Sequence, residues 1–134
     1  MSVRTALYGL LSADGELTAL LSSPGAIHHR VAPQGERFPY VVFHKARGAP
    51  VYQFADHHNE ERWVVKGVSR GPSANEAEAI DARILAVLQD AALAIADGDC
   101  LYARRELDVD YGEDDGGESI HHVGAEYRLV IQPT

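Results

Sequence analysis

The chain has 134 residues, of which 46% are apolar and 24% are charged. These values are typical of a folded domain and exclude a collagen-like or wholly disordered chain, so we predict one domain over residues 1–134. Twenty Asp and Glu residues outnumber twelve Lys and Arg residues, which gives a net charge of −8. Because affinity for DNA depends on a basic patch and counterion release, this composition argues against a conventional nucleic-acid-binding protein.

The sequence contains no candidate membrane anchor and no set of cysteines that could staple the fold. No apolar run approaches the roughly 18 residues of a membrane span, and the first 21 residues carry Asp14 and Glu16 where a signal peptide would be apolar. Cys100 is the only cysteine in the sequence, which excludes an internal disulfide and a Cys-x-x-Cys zinc site. We therefore expect an intracellular protein held together by packing.

Two helices are predicted at the start of the chain. Apolar residues recur with i, i+3, i+4 and i+7 spacing from Val3 to Leu11, which predicts a helix over residues 3–12. Asp14 can cap a second short helix, with Glu16 in its first turn. Pro24 and Gly25 then end that helix.

Three strands are predicted in the middle of the chain. Residues 26–31 form a short strand, and residues 40–43 form a central one because both of its faces are apolar. A proline- and glycine-containing loop, 33–37, separates them. The third strand, 62–69, follows a long connection from Gly48 to Asn59.

A third helix is predicted after these strands. Ser73 and Glu76 have the spacing of a capping box, in which each side chain accepts a hydrogen bond from a free backbone amide at the helix start. The apolar side chains from Ala77 to Ala91 lie on one face of such a helix. The helix should end near Gly98.

The last third of the chain alternates apolar and polar residues with a period of two, over 101–111 and again over 123–131. This pattern predicts an antiparallel hairpin with a shared buried face and a loop from Gly112 to Ser119. The whole order, α-β-β-β-α-β-β, predicts an α+β fold with a mixed, mainly antiparallel sheet of four to five strands packed against two main helices.

The charges of this hairpin favour one register among those that keep its apolar faces together. Placing Leu107 opposite Val123 also places Arg104 beside Glu126. Opposite charges in cross-strand positions contribute about 0.2 to 1 kcal/mol per pair. We therefore predict that register.

The acidic stretch from Asp108 to Glu118 could be interpreted as a cation site, because calcium and magnesium prefer carboxylate oxygens. Counted from Asp108, however, the fifth and sixth positions of an EF-hand loop are Gly112 and Glu113, where that motif needs an acid or amide and then a glycine. A solvated acidic loop is favoured. A small divalent-metal-binding module or hydrolase using the 108–118 loop is kept as the alternative function.

Other candidate catalytic or metal groups also favour a non-enzymatic interpretation. Adjacent residues on a strand point to opposite faces, so paired histidines cannot share one ion. Cys100 lies beside Asp97 and Asp99, whose charges raise the pKa of a thiol. The sequence has no nucleophile elbow or phosphate-binding glycine loop, and we predict no enzyme and no cofactor. The histidine pairs are His28–His29, His57–His58 and His121–His122.

Tyr52 and Phe54 place two large aromatic rings in the predicted Gly48–Asn59 connection. Aromatic side chains that stay exposed often mark contacts with another protein. They could equally fold back onto their own sheet. The sequence leaves both possibilities open.

The complete pattern resembles the small phage tail terminator or tail completion proteins, also described as head–tail joining proteins, and is similar to the minor tail protein U type. The resemblance covers nearly the whole chain. It departs from the family pattern in the 48–59 connection and in the acidic final loop. The segments that carry it are Ala6–Leu11, Leu17–Leu20, Arg30–Gly35, Phe38–Phe43, Arg62–Val68, the Ser-capped helix with Ala77, Ile80 and Leu88, and Tyr127–Val130.

The resemblance implies a structural protein of the virion tail that is assembled in the host cytoplasm. Such a protein forms a ring, commonly of six subunits, on the head-proximal end of the tail tube, where it stops polymerisation and offers a docking face to the head connector. Its implied partners are other copies of itself, the tail tube protein and the connector, with DNA only in transit and no membrane. A domesticated tail part in a contractile or gene-transfer particle would have the same chemistry.

Two groups of residues are the expected sites on this basis. The first is an oligomer or tube interface on the 48–59 arm and beside it. The second is an acidic loop that faces solvent or the channel, since a basic lumen would bind DNA phosphate. The interface group is Tyr52, Phe54, Arg47, Gln53 and Arg62, and the acidic group is Glu113, Asp114, Asp115 and Glu118.

Overall fold

The computed structural model describes residues 2–53, 56–95 and 98–133, which form three helices and six strands. In chain order these are α1 (Val3–Ser12), α2 (Gly15–Ala19), β1 (Ile27–His29), β2 (Tyr40–Gln53), β3 (Asp56–Arg70), α3 (Asn75–Leu88), β4 (Ala94–Ile95), β5 (Gly98–Asp115) and β6 (Glu118–Pro133).

All six strands belong to one sheet with the order β1-β2-β3-β6-β5-β4. Strand β1 is parallel to β2, and every other neighbouring pair is antiparallel. The predicted α+β class with a mixed, mainly antiparallel sheet is therefore confirmed. Four long strands, β2, β3, β6 and β5, form the body of the sheet, while β1 and β4 are short additions at its margins.

The helices cover one face of this sheet, which we call the helix face; the opposite side is the open face. The core lies between α1 and α3 on one side and the centres of the four long strands on the other. Removal of these apolar side chains from water is the main force that holds the layers together. The largest fully buried side chains of this core include Leu7, Leu11, Phe43, Ile80, Ile84, Tyr127 and Leu129.

The first two helices agree with the sequence prediction. Helix α1 spans Val3–Ser12, and the Asp14 carboxylate caps α2 by accepting a hydrogen bond from the Leu17 amide at 2.9 Å. The same carboxylate accepts two further hydrogen bonds, at 2.7 and 2.8 Å, from Arg83 on α3. Asp14 therefore both starts α2 and connects it to α3. Hydrogen bonding to Arg83 also lowers the pKa of the Asp14 carboxyl.

Helix α3 differs from the prediction at both ends. It begins at Asn75 after Ala74, which makes no side-chain capping bond, so the predicted capping box is wrong. It ends at Leu88, well before Gly98, because Asp90 takes a left-handed conformation with φ 60° and its amide donates to the Ala103 carbonyl at 2.8 Å. Tertiary pairing with the sheet therefore stops the helix.

The predicted Gly48–Asn59 connection is mostly strand, which corrects that expectation. Gly48 lies opposite Glu61, and Pro50 lies opposite Asn59, in a continuous antiparallel pairing of β2 with β3. Pro50 is compatible with this pairing because β1 pairs only with Val41–Phe43 of β2. Among the described residues no strand lies on the outer side of β2 at Pro50, so this part of β2 is an edge strand. The two strands form a long hairpin arm.

The final hairpin also differs from the prediction in its loop and its register. Strand β5 continues to Asp115, and only Gly116 and Gly117, with φ values of 62° and 93°, separate the hairpin strands. Such a pair of positive φ values suits a two-residue hairpin turn. The predicted Gly112–Ser119 loop is therefore wrong.

Leu107 lies opposite Glu126, and Arg104 lies opposite Arg128, so the predicted register is wrong as well. The register shifts between Arg105 and Leu107, and a bulge of this kind turns the following side chains to the other face. Leu107 is consequently 54% exposed on the open face.

Gly67 marks the closest approach of α3 to the sheet. A methyl group added at this position would lie 2.6 Å from Ile80 Cγ2, where Ile80 is fully buried. We expect Gly67→Ala to lower the free energy of unfolding by about 1–3 kcal/mol through overpacking, measured by urea denaturation. Gly9→Ala, at an exposed helix position with nothing within 4 Å, is the matched control and should raise it by about 0.5–1 kcal/mol. Equal stability of the two variants would contradict this packing.

Candidate functional site

The open face of the sheet carries a network of alternating charges. Arg62 on β3 pairs with Glu106 on β5, and its Nε lies 4.0 Å from Glu126 Oε1 on β6. Arg128 on β6 pairs with Glu60 on β3, and this hydrogen bond lowers the pKa of the Glu60 carboxyl. These pairs cross three neighbouring strands, so they hold the uncovered side of the sheet in register.

The predicted interface residues do not all lie together. Arg47 is on the outer strand β2, is 67% exposed, and extends towards Glu126 with its Nη2 3.6 Å from Oε1. Arg62 lies opposite Arg47 on β3, but only 20% of its side chain is exposed because of the ion pairs described above. Tyr52 and Gln53 lie at the end of β2, and their side chains, like Phe54 as a whole, are outside the described part of the structure.

The predicted acidic group lies at the other end of the sheet, at the tip of the β5–β6 hairpin. Glu113, Asp114, Asp115 and Glu118 are all exposed, but they are ends of strands and not a loop. Arg70 on β3 approaches the tip from the side, with Nη2 2.8 Å from Asp115 Oδ2 and Nε 3.1 Å from Glu118 Oε2.

A small cluster beside the acidic tip was not predicted from the sequence. The rings of Tyr111 and His122 stack with centroids 4.4 Å apart, and Lys66 donates to the Tyr111 hydroxyl at 2.6 Å. His122 also pairs with Glu113, while its Nδ1 is buried with no partner among the described residues. Burial, followed by the charge of Lys66, lowers the pKa of His122. The signal in the sequence was weak, because the cluster depends on a register that the bulges set.

His28, His29 and Cys100 each have a structural role in the fold. His28 pairs with Glu36, whereas its neighbour His29 packs against Phe43 with centroids 5.4 Å apart, so the two point to different surroundings. Burial raises the pKa of the Cys100 thiol. No group of three or more His, Cys, Asp and Glu residues within the described ranges is arranged to hold a metal ion.

Two further observations concern the chain as a whole. Of the helices in the described residues, none has the length and apolar character to cross a membrane. An acidic tip lies at one end of the sheet and the β-hairpin arm at the other, and the charged open face extends between them.

Comparison with known proteins identifies the class. The family model for tail completion protein gp17 matches residues 5–132, and the chain belongs to this family of structural phage tail proteins. The prediction from the sequence, of a phage tail completion protein located in the virion tail, is confirmed by this match.

A solved structure gives independent support for the fold. A chain from the virion of the native gene transfer agent (GTA) particle is 17% identical, and the similarity covers 98% of this chain and 95% of that chain with a TM-score of 0.82. At this identity the likeness concerns the fold. No curated protein matches the chain in sequence.

We expect three histidines to make the stability of the protein depend on pH. Burial is the main cause that lowers the pKa of His29, His44 and His122 below the ordinary value of 6.5. The unfolded chain therefore binds more protons just below pH 6.5, and the free energy of unfolding should fall as the pH drops through this range. The carboxyls of Asp14, Glu36 and Glu60 also have lowered pKa values, but they affect the free energy of unfolding only at lower pH, below their ordinary pKa values of 3.8 to 4.5.

Urea denaturation at pH about 7.5 and about 5.5 measures this difference. The double variant His44→Gln and His122→Gln should show a smaller loss of stability between the two pH values. A chain that is equally stable at both would contradict the lowered pKa values of these histidines.

Proposed function

We propose that the protein forms a ring, of six subunits, on the head-proximal end of the tail tube. The ring stops tube polymerisation and provides the docking face for the head connector. The observation that carries this proposal is the polarity of the sheet, whose two ends differ in charge and chemistry. Family membership provides the setting in the phage tail.

The register defines these two ends. Asn59 near the arm lies beside Ile131, which in turn lies beside Cys100, so the arm is at the same end of the sheet as the start of β5. The acidic tip, at Gly116 and Gly117, is at the opposite end. A ring of parallel subunits would therefore have one face of hairpin arms and one face of acidic tips.

Two unlike faces are what a terminator requires. A tube stops growing when its last ring is met by a surface that fits the tube on one side and offers no further tube-like surface on the other. In this proposal Tyr52, Phe54, Gln53 and Arg47 on the arm contact the tube or a neighbouring subunit. Arg62 supports that surface from the adjacent strand.

The acidic tip faces solvent or the channel in this arrangement. Glu113, Asp114, Asp115 and Glu118 are exposed, and in the described residues Arg70 pairs with Asp115 and Glu118 while His122 pairs with Glu113. A negative surface near the opening repels DNA phosphate and lets DNA pass without binding. The similar chain in the gene transfer agent virion supports a phage-like particle as the setting.

Removal of the protein tests the proposed function. Particles from a strain that lacks it should have tails of irregular, excess length that are not joined to capsids, as seen by electron microscopy. Supply of the intact chain from a plasmid should restore normal particles. Tails of normal length joined to capsids without the protein would reject the proposal.

The arm provides a sharper prediction. Changing Tyr52 and Phe54 together to serine should abolish tail capping, because it removes the aromatic contacts of the arm, while thermal unfolding of the free chain stays unchanged. Tyr8→Ser, at a tyrosine of α1 that is 43% exposed, is the matched control and should cap tails normally. Unchanged capping in the double variant would exclude the arm as the contact.

A further inference from the structure

The cavity between α1 and β1 combines an apolar floor with positive charge that nothing in the chain balances. It has a volume of about 340 Å³, and its lining includes Arg4 and Thr5 of α1, Ile27 and His29 of β1, and Phe43 of β2. We propose that it binds the carboxylate of an acidic segment in another protein of the tail, with an apolar side chain next to that carboxylate on the floor. This inference rests on membership of the tail completion family and not on the proposed ring.

The arginines at this cavity differ from most cations of the chain because they have no carboxylate partner. Cations elsewhere, such as Arg70, Arg83 and Arg105, each pair with at least one carboxylate. Arg4 and Arg30 are exposed and form no ion pair among the described residues. In a chain with a net charge of −8, two unpaired arginines beside one cavity mark a place where an acidic partner is favoured.

Arg4 is in a position where helix electrostatics disfavour a cation. It lies in the first turn of α1, where the free backbone amides already give a partial positive charge and an acidic side chain would be stabilising. This turn contains no acidic residue. Arg4 therefore adds positive charge to the helix end, and an approaching anion would balance both.

Arg30 lies in a turn that local backbone preferences also disfavour. Its φ is 71°, and the Val31 amide donates across it to the His29 carbonyl at 2.9 Å, which is a γ-turn of the rare, strained kind. The Arg30 amide donates to the Phe43 carbonyl at 2.9 Å, so pairing with β2 holds the turn. Glycine would adopt this conformation at lower cost, and strained residues of this kind cluster at functional sites.

His29 connects the two charges to the floor of the cavity. Its ring centroid lies 5.4 Å from that of Phe43 and 6.0 Å from that of Trp63. Burial, followed by the charges of Arg30 and Arg4, lowers the pKa of His29, so both arginines are close enough to act on this ring. An aromatic floor beside two guanidinium groups fits an apolar side chain next to a carboxylate.

Two other anionic occupants fit the cavity less well. A second copy would offer its acidic tip, but residues 113–119 contain no large apolar side chain, and Asp115 and Glu118 already pair with Arg70. DNA would need a larger basic surface than two arginines on a chain of net charge −8. The chemistry therefore favours a protein segment in which an acidic residue lies beside an aromatic or aliphatic one.

Two matched peptides test this preference on the full chain. The probes are acetyl-Gly-Phe-Glu-Phe-Gly-amide and the same peptide with Gln in place of Glu, so they differ in one carboxylate. In an NMR titration the Glu peptide should shift the backbone amides of residues 4, 5 and 27–30. It should bind at least about tenfold more tightly than the Gln peptide, because hydrogen bonds to charged groups contribute that much or more.

Variants of the two arginines localise the effect. Arg4→Gln and Arg30→Gln should each remove most of the preference for the Glu peptide, while the weaker affinity for the Gln peptide stays unchanged. Arg37→Gln is the matched control and should keep the preference, because Arg37 is also exposed without an ion pair among the described residues but is not one of the charges that act on His29. Thermal unfolding shows whether each variant is folded, and Arg4→Gln carries the test if Arg30→Gln disturbs its turn.

Three results would overturn the inference. The first is equal affinity of the native chain for the two peptides, or no binding of either. The second is a preference for the Glu peptide that survives in the folded Arg4→Gln variant. The third is a different occupant: a short oligothymidylate that shifts the same amides and binds more tightly than the Glu peptide would assign the cavity to nucleic acid, and shifts of these amides on dilution of the free chain would assign it to a second copy. None of these results bears on the deletion strain, which tests the proposed ring by itself.

Discussion

The strands of this protein are much longer than the helices that cover them, and the rest of its structure follows from this mismatch. Strand β5 has 18 residues and α3 has 14, which correspond to about 59 Å of strand and about 21 Å of helix. The helices can therefore bury only the centre of the sheet. Both ends of the long strands, the outer edges and one entire face must be made compatible with water by other means.

Charge is the means that the sequence uses. Arg62 and Arg128 alternate with Glu60, Glu106 and Glu126 on the open face. The uncovered side of the sheet therefore stays polar, and the pairs favour the observed register. Exposed pairs of this kind contribute little stability individually, with a median near 0–1 kcal/mol. Their value lies in solubility and in the exclusion of wrong pairings, which matters for a chain with open sheet edges.

Features set by local chemistry could be predicted from the sequence, and features set by tertiary contacts could not. Helix α1 and the Asp14 cap depend on nearby residues, and both were predicted. The end of α3 depends on the bond from Asp90 to Ala103, and the hairpin register depends on a bulge beside Arg105, so neither follows from periodicity. The arm was mistaken for a loop because Gly48 and Pro50 suggest one, although an edge strand accepts both. The sequence identified the acidic group but not its place on strand ends.

The same mismatch gives the sheet two unlike ends. The helices leave the ends of the long strands uncovered, and the register places the arm at the end where β5 begins and the acidic tip at the opposite end. The tip carries Glu113, Asp114, Asp115 and Glu118, whereas the arm carries Tyr52, Gln53 and Phe54 in its sequence. A partner that fits one end is therefore not matched by the other, which gives the chain a direction within the virion tail.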